Sequence, residues 1–180
     1  MIASTIATAL WAMGPAYVPN NAAVLAGGGD PIDGGREWRG RRLLGDGKTW
    51  RGSAAGTLAG VVVAVVLNAA AQPASGALGV SVPTFPLPAA IALAAGAMAG
   101  DVGASFLKRR SGRERGASFP GLDQLDFVAG ALIAVFLVAP GWASGVFTVP
   151  VVAAVVLVTP ALHIGTNVIA YAAGLKAEPW

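Results

Sequence analysis

Apolar residues are gathered into five long, nearly uninterrupted stretches, at about residues 2–26, 53–72, 84–107, 125–140 and 148–174. A helix that crosses a bilayer needs about 20 mostly apolar residues, and each stretch approaches or meets that length. The fourth, at about 16 residues, would reach only about 24 Å at 1.5 Å per residue. It is therefore expected to begin among the headgroups or to thin the bilayer locally. None of the stretches shows the in-out alternation of barrel strands, and lipid leaves only helices or closed barrels as choices. The pattern predicts an all-α, polytopic membrane protein with five transmembrane helices, built as a single transmembrane domain over residues 1–180.

The connections are of two kinds. Pro73, Pro83, Pro86 and Pro88 punctuate a weakly polar link between the second and third stretches, and Pro140-Gly141 does so between the fourth and fifth. Neither carries a charge. Segments 30–51 and 101–126, in contrast, hold eleven of the twelve basic residues and eight of the nine acidic ones. With five spans these two loops share one side with Lys176, and the positive-inside rule makes that side cytoplasmic and the N-terminus external. The expected location is the cell membrane, multi-pass, with soluble chemistry on the cytoplasmic face. The first basic residue is Arg36, so the apolar start lacks the charged n-region of a cleaved signal peptide and reads as a retained span. Gly56-x-x-x-Gly60 and Gly96-x-x-x-Gly100 have the small-residue spacing of close helix contacts in lipid, either inside one chain or between two, which leaves both monomer and homodimer open.

Composition supports the lipid-embedded reading. Hydrophobic residues make up 55% and charged residues 12%, against about 25% charged in soluble domains, and the mean hydropathy is +0.66. Absent cysteine excludes disulfides, thiolate chemistry and Cys-containing zinc sites. A net charge of +3 raises nucleic acid as a partner, but both charged segments mix signs instead of forming a basic stripe. No nucleic acid is expected, and mixed charge suits a metal-phosphate site.

Chemistry concentrates in three places. Residues 100–110, Gly-Asp-Val-Gly-Ala-Ser-Phe-Leu-Lys-Arg-Arg, put Asp101 about 10 Å along a continuing helix from Lys108. A carboxylate there sits at or below the membrane surface, where it is costly and functional by default, the alternative being a structural pair with arginine. Asp123 and Asp126, three apart, would share one face of a first helical turn, although aspartate there is also a common cap. Three hard oxygen donors, Asp101, Asp123 and Asp126, match Mg2+ shared with substrate phosphates.

Gly45-Asp46-Gly47-Lys48-Thr49-Trp50-Arg51-Gly52 contains a Gly-Lys-Thr piece, yet Arg42 stands where a P-loop needs its first glycine and no strand precedes it. Its glycines, the following helix start, Lys48 and Arg51 still suit phosphate, against the alternative of a solvated loop that sets topology. Arg36, Arg39, Arg41 and Arg42 near Trp38 fit either headgroup binding or a catalytic role. His163 and Asn167 lie one turn apart in the last stretch beside Thr159 and Thr166, suited to interhelical hydrogen bonds or substrate. Asn20 and Asn21 are placed to line a lipid or nucleotide pocket. One histidine far from the charged loops excludes a serine-histidine-acid set. A phosphate monoester is largely dianionic at neutral pH and can attack a nucleotide α-phosphate without a general base, given charge neutralisation and alignment.

Ser105-x-x-Lys108-Arg109, Pro120-Gly121 and Asp123-x-x-Asp126, with Gly47-Lys48-Thr49-Trp50-x-Gly52, resemble the signature elements of the CDP-diacylglycerol synthases. Residues 15–20 (Pro-Ala-Tyr-Val-Pro-Asn), 31–35 (Pro-Ile-Asp-Gly-Gly), 45–52 and 120–126 resemble more closely their shorter, five-span archaeal relatives, the CDP-archaeol synthases. The likeness covers most of the chain. It implies a Mg-dependent cytidylyltransferase that takes CTP and 2,3-bis-O-geranylgeranylglycerol 1-phosphate to the CDP-activated ether lipid and pyrophosphate. It also implies metal binding by Asp101, Asp123 and Asp126, and catalytic or phosphate contacts from Lys108, Arg109, Asp123 and Asp126. Asn20, Asp46, Gly47, Lys48, Thr49, Arg51 and Ser105 are the expected substrate-binding residues, and the partners are CTP, the ether-lipid phosphate and the bilayer. The chain lacks the Gly-His-Gly-Gly stretch of the bacterial pattern and carries Glu114-Arg115 where that pattern has Lys-Asp. Two other readings remain to be separated from this one: a phosphatidate cytidylyltransferase acting on diacyl lipid, and a non-catalytic membrane transporter using Asp101 as an ion site.

Overall fold

A computed structural model describes residues 2–113, 119, 121–172 and 174, with the side chains of Leu122, Asn167 and Ala170 left out. Its described elements are helices α1 (Ile2–Tyr17), α2 (Pro19–Leu25), α3 (Trp50–Leu78), α4 (Leu87–Arg110), α5 (Leu122–Val138), α6 (Pro140–Val146) and α7 (Val149–Ala172). A two-stranded antiparallel hairpin, β1 (Glu37–Trp38) and β2 (Arg41–Arg42), interrupts the helices between α2 and α3. Among the described residues, three helical segments are long and apolar enough to cross a membrane: Trp50–Leu78, Leu87–Arg110 and Val149–Thr166.

Which residues face out is the membrane signature. The core is built from small side chains, with Ala9, Ala12, Ala89, Ala94, Ala97 and Ala131 buried around Met13, Leu93, Val135 and Val155. Large aliphatics point outward: Leu58 is 65% exposed, Leu137 77% and Leu157 75%. An aqueous fold would bury such groups. In lipid, small residues draw helices together and large ones meet acyl chains.

Both glycine pairs work inside the chain. The missing N–H of Pro19 breaks the first apolar stretch after Tyr17. The carbonyl oxygens of Pro15 and Pro19 then lie against Gly60 and Gly56 of α3, where any Cβ would overlap them. Gly96 and Gly100 face α5: a Cβ on Gly96 would lie 2.6 Å from the Gly130 carbonyl oxygen, and one on Gly100 would overlap the carbonyl of Asp126. Neither pair is left for a dimer face.

The uncharged end is tied by side chains. Asn68 donates from Nδ2 to the Phe85 carbonyl (2.9 Å) and accepts from the Phe85 N–H (2.7 Å). Trp11 Nε1 donates to the Pro83 carbonyl and Trp142 Nε1 to that of Thr84. These bonds satisfy an extended link that has no helix of its own.

Several boundaries differ from expectation. The second stretch runs on to Leu78 with Pro73 inside the helix, because a proline in lipid costs only a local adjustment of backbone bonding. Pro140 opens the short helix α6 instead of a plain turn, being suited to the first helical position. Charged loop 30–51 contains the hairpin because Arg39 and Gly40 both adopt positive φ (56° and 71°), the two-residue turn that matches strand twist.

The crossing of α4 and α5 generates a test. Gly100→Ala should lower the detergent unfolding midpoint by several degrees, the overpacking cost being about 1–3 kcal/mol. Gly103→Ala on the same helix, with nothing within 4 Å of its would-be Cβ, should leave the midpoint unchanged or slightly higher.

Candidate active site

Four elements converge at the charged end: α2, the loop running into α3, the last turns of α4 and the first turn of α5. Thr49 ends the loop as the N-cap of α3, its hydroxyl accepting from the Gly52 N–H at 3.0 Å. That cap holds Lys48 one residue before the helix. Lys48 Nζ lies 2.5 Å from Asp101 Oδ2 on α4. Further along α4, Lys108 Nζ lies 2.5 Å from Oδ1 of Asp123 on the facing helix α5, a charge contact without hydrogen-bond alignment. Asp123 Oδ2 accepts from the Phe119 N–H (2.8 Å) and Asp126 Oδ1 from the Phe127 N–H (2.6 Å). Asp126 stands within Coulombic range of Asp101, Asp123 and Lys108.

Two adjoining cavities share Lys48 and Gly47. A small one of about 80 Å³ is bounded by Asn20, Lys48, Thr49 and Asp101. Its neighbour of about 170 Å³ is bounded by Gly45, Lys48, Ser105, Lys108 and Arg109. A third, of about 360 Å³, lies between α1, α2, α5 and α7 and is walled by Tyr17, Asn20, Asp123, Thr159 and His163. In it the Tyr17 and Thr159 hydroxyls are 2.9 Å apart. Three cations in the second cavity suit a polyphosphate, whose charges need several positive partners.

The loop that presents Lys48 is organised by Asp33. Its side chain is 1% exposed and accepts from Arg42 Nη2 (2.7 Å), Arg42 Nε (3.3 Å) and the N–H groups of Gly35, Leu44 and Gly45. The Arg42 guanidinium, followed by those backbone N–H groups, holds the Asp33 carboxyl well below the usual carboxylate range, against the opposing effect of burial. Arg110, in the last turn of α4, fastens the hairpin from the other side: Nη1 donates to the Trp38 carbonyl (2.7 Å) and Nη2 to that of Arg42 (2.9 Å). Its guanidinium also lies over the rings of Trp38 and Phe106, which stack on each other.

Comparison with known proteins identifies this arrangement. The family described as CarS-like, CDP-archaeol synthase, matches residues 2–180. The chain belongs to the CDP-archaeol synthase family. It is 73% identical to the CDP-archaeol synthase of Halorubrum lacusprofundi over 180 residues, all of both chains. With that of Halobacterium salinarum identity is 62%, over 99% of each chain, and with that of Methanosarcina barkeri 45%, over 92% of this chain and 99% of the other. A solved intramembrane enzyme of archaeal membrane lipid biosynthesis superposes with a TM-score of 0.68 at 38% identity, covering 91% of this chain and 94% of that one.

Most of the residues expected to act in this CDP-archaeol synthase family member are brought together. Asn20, Gly47, Lys48, Asp101, Ser105, Lys108 and Arg109 line the two Lys48 cavities, with Asp123 and Asp126 at their α5 edge. Three of the expected residues have other contacts in the structure. The Thr49 side chain is committed to the helix cap and is buried, although the residue borders the smaller cavity. Asp46 is spent on Arg42, at 2.5 Å. Arg51 is exposed beside Gly29 and lines neither Lys48 cavity. Among the described residues, no group of three or more His, Asp or Glu is arranged to hold a metal ion; the carboxylates approach one another while Lys48 and Lys108 sit on two of them. Of the arginine cluster, Arg42 is a structural counterion. Pro120, Glu114, Arg115, Lys176 and the Asn167 side chain lie outside the described residues. No role was assigned to Asp33 or Arg110 from the sequence, although Asp33 lies in the Pro-Ile-Asp-Gly-Gly segment noted above and is an aspartate placed to bond the backbone two residues on.

Asp33 gives a loop-specific prediction. A carboxyl held below its ordinary value of about 3.9 stabilises at every pH above that value, and the stabilisation is lost only as pH falls through the lower, folded value. Hydrogen-exchange protection at Leu44 and Gly45 should therefore persist from neutral pH to about 5 and fall in stronger acid. Asp33→Asn should abolish it at neutral pH, because the amide cannot accept from Arg42 and three backbone N–H groups as the carboxylate does.

Proposed function

We propose that this chain transfers a cytidylyl group from CTP to 2,3-bis-O-geranylgeranylglycerol 1-phosphate, an archaeal ether-lipid phosphate, giving CDP-archaeol and pyrophosphate. The observation that carries the assignment of roles is the shared cavity of Lys48, Lys108 and Arg109, three cations from two elements around one space at the end of α4. In the reaction an oxygen of the lipid phosphate bonds to the α-phosphorus of CTP. The bond from that phosphorus to the oxygen bridging to the β-phosphate breaks, and pyrophosphate leaves with the electron pair. The attacking monoester is largely dianionic at neutral pH, so no proton needs to be removed by the protein. Lys48, Lys108 and Arg109 bind the triphosphate and neutralise charge developing on the leaving group. Glycines 45 and 47 allow backbone to approach it.

Asp101, Asp123 and Asp126 are the residues that would hold Mg2+. The donor chemistry fits, since all three are carboxylates at one end of the α4 and α5 crossing, with Lys48 on Asp101, Lys108 on Asp123, and Asp126 within Coulombic range of both aspartates. Mg2+ held by these residues would supply positive charge that reduces the repulsion opposing attack. Lys48 and Lys108, which neutralise the same carboxylates, would then turn to the phosphates.

The reading places five spans in the bilayer, with α1 and α2 forming one broken span and α5 a short one. The charged end faces the cytoplasm by the positive-inside rule, where CTP is available. The transporter reading lacks support from a pathway of charge across the membrane, since the charged side chains among the described residues lie at one end, in the loop running into α3, the last turns of α4 and the first turns of α5.

Pyrophosphate release should require CTP, Mg2+ and lipid phosphate together, with the ether lipid preferred over phosphatidate supplied in parallel; release without lipid, or ion flux in liposomes with no release, would contradict the reading. Asp126→Asn should remain folded and lose roughly 100-fold or more in turnover, the scale of a lost electrostatic contact to the transition state. Lys48→Ala should lose the thermal protection that CTP gives the unmodified protein.

A further inference from the structure

The hairpin of β1 and β2 presents two chemically different faces. In the antiparallel pair Trp38 stands opposite Arg41 and Glu37 opposite Arg42, so Trp38 and Arg41 share one face and Glu37 and Arg42 the other. The second face is committed to the protein, since Arg42 is bound to Asp33 and Asp46. Arg36, Arg39 and Arg41 are different. All three are exposed, and none forms an ion pair among the described residues. None borders the two Lys48 cavities or the larger one between α1, α2, α5 and α7.

These exposed arginines are held at the edge of the bilayer. Trp38 stacks on Phe106 of α4, with ring centroids 6.3 Å and planes 19° apart. Phe106 lies about 28 Å along that helix from Leu87, close to the ~30 Å thickness of a hydrocarbon core. Trp38 is 49% exposed, and Trp50, which opens α3 at the same end, is 64% exposed. Open indoles at that depth form the aromatic belt of a membrane boundary. Arg39 carries a further sign. Its φ of 56° is costly for a residue with a side chain and in such a turn is usually given to Asn or Gly. An arginine kept there points to use of its side chain, whose guanidinium lies 5.5 Å from the Trp38 ring centroid.

We propose that this hairpin is a docking surface for the anionic headgroups of the surrounding bilayer, with Trp38 at headgroup level and Arg36, Arg39 and Arg41 on lipid phosphates. Guanidinium groups pair well with phosphate oxygens, and each basic side chain beside an anionic membrane adds attraction that fades within a Debye length. Three solvent-open cations within one short segment suit a sheet of phosphates better than a single soluble anion, which needs an enclosing site. Glu37 is the one acidic residue of segment 36–42, and it lies on the face away from Trp38. Arg110 makes the surface rigid by donating to the carbonyls of Trp38 (2.7 Å), Arg41 (3.2 Å) and Arg42 (2.9 Å). Docking leaves the Asp33 and Arg42 pair intact, because that pair uses the opposite face of the hairpin.

The test uses the full chain in nanodiscs of phosphatidylcholine and phosphatidylglycerol, a small part of the latter carrying a diazirine on its headgroup. Irradiation should label residues 36–42. Excess unlabelled phosphatidylglycerol should suppress the label, whereas added phosphatidylcholine or free inorganic phosphate should not. Arg39→Gly should cut the labelling roughly fivefold, about what one basic side chain contributes at an anionic surface, and Arg36→Gln/Arg39→Gly/Arg41→Gln should cut it further. Because glycine suits the turn, Arg39→Gly should keep or raise the thermal unfolding midpoint and leave thermal protection by CTP unchanged. Undiminished labelling in the triple variant, or suppression by phosphatidylcholine as strong as by phosphatidylglycerol, would overturn the proposal. Suppression by free phosphate would assign the arginines to a soluble anion and overturn it equally, as would a lowered midpoint or lost CTP protection in Arg39→Gly, which would make that arginine part of the folded frame.

Discussion

In lipid, two helices approach closely only where side chains are absent, and the crossing of α4 and α5 is as close as backbones allow. Gly96 and Gly100 on one helix meet Gly130, Ala131 and the Asp126 carbonyl on the other. Because the contact runs up to Gly100, the next residue, Asp101, emerges beside the start of α5, where Asp123 and Asp126 lie. The glycines are therefore part of the site as much as of the packing. A wider crossing would separate these carboxylates.

Three carboxylates at the margin of a bilayer would repel one another and bind water that lipid cannot supply. The protein answers with Lys48 and Lys108, each at 2.5 Å from a carboxylate. Each lysine comes from a different element from its partner, so the ion pairs also fix the Lys48 loop to α4 and α4 to α5. In the proposed reaction these pairs would exchange partners, the lysines turning to the phosphates of CTP. Behind these pairs, the buried pair of Asp33 and Arg42 and the grip of Arg110 on the hairpin keep the loop in place when those contacts change.

Much of this was legible because hydropathy and charge are long-range patterns. The five apolar stretches, the two charged loops and the candidates Lys48, Asp101, Asp123 and Asp126 follow from where polarity is tolerated in a membrane chain, while Ser105, Lys108 and Arg109 were singled out by the family resemblance. What could not be read depends on local backbone geometry. Pro73 reads as a break in a water-soluble context yet continues α3, and Pro19 breaks a stretch that hydropathy runs together. Thr49 looks like a phosphate contact beside Gly47 and Lys48, but a threonine before a helix is equally suited to cap it. Asp33 gained its role from hydrogen bonds to residues up to twelve positions away, a closure that no spacing rule specifies.

The central claim is that Asp101, Asp123 and Asp126 act on one metal-nucleotide complex. Electron paramagnetic resonance titration of Mn2+ in the presence of CTP tests it directly, using Asp101→Asn, Asp123→Asn, Asp126→Asn and their pairwise combinations. The account predicts that each single variant weakens the same CTP-dependent Mn2+ binding and that the pairs lose much less than the sum of the singles, as expected for groups acting as a unit. Undiminished Mn2+ binding in the single variants, or losses that add independently, would contradict it.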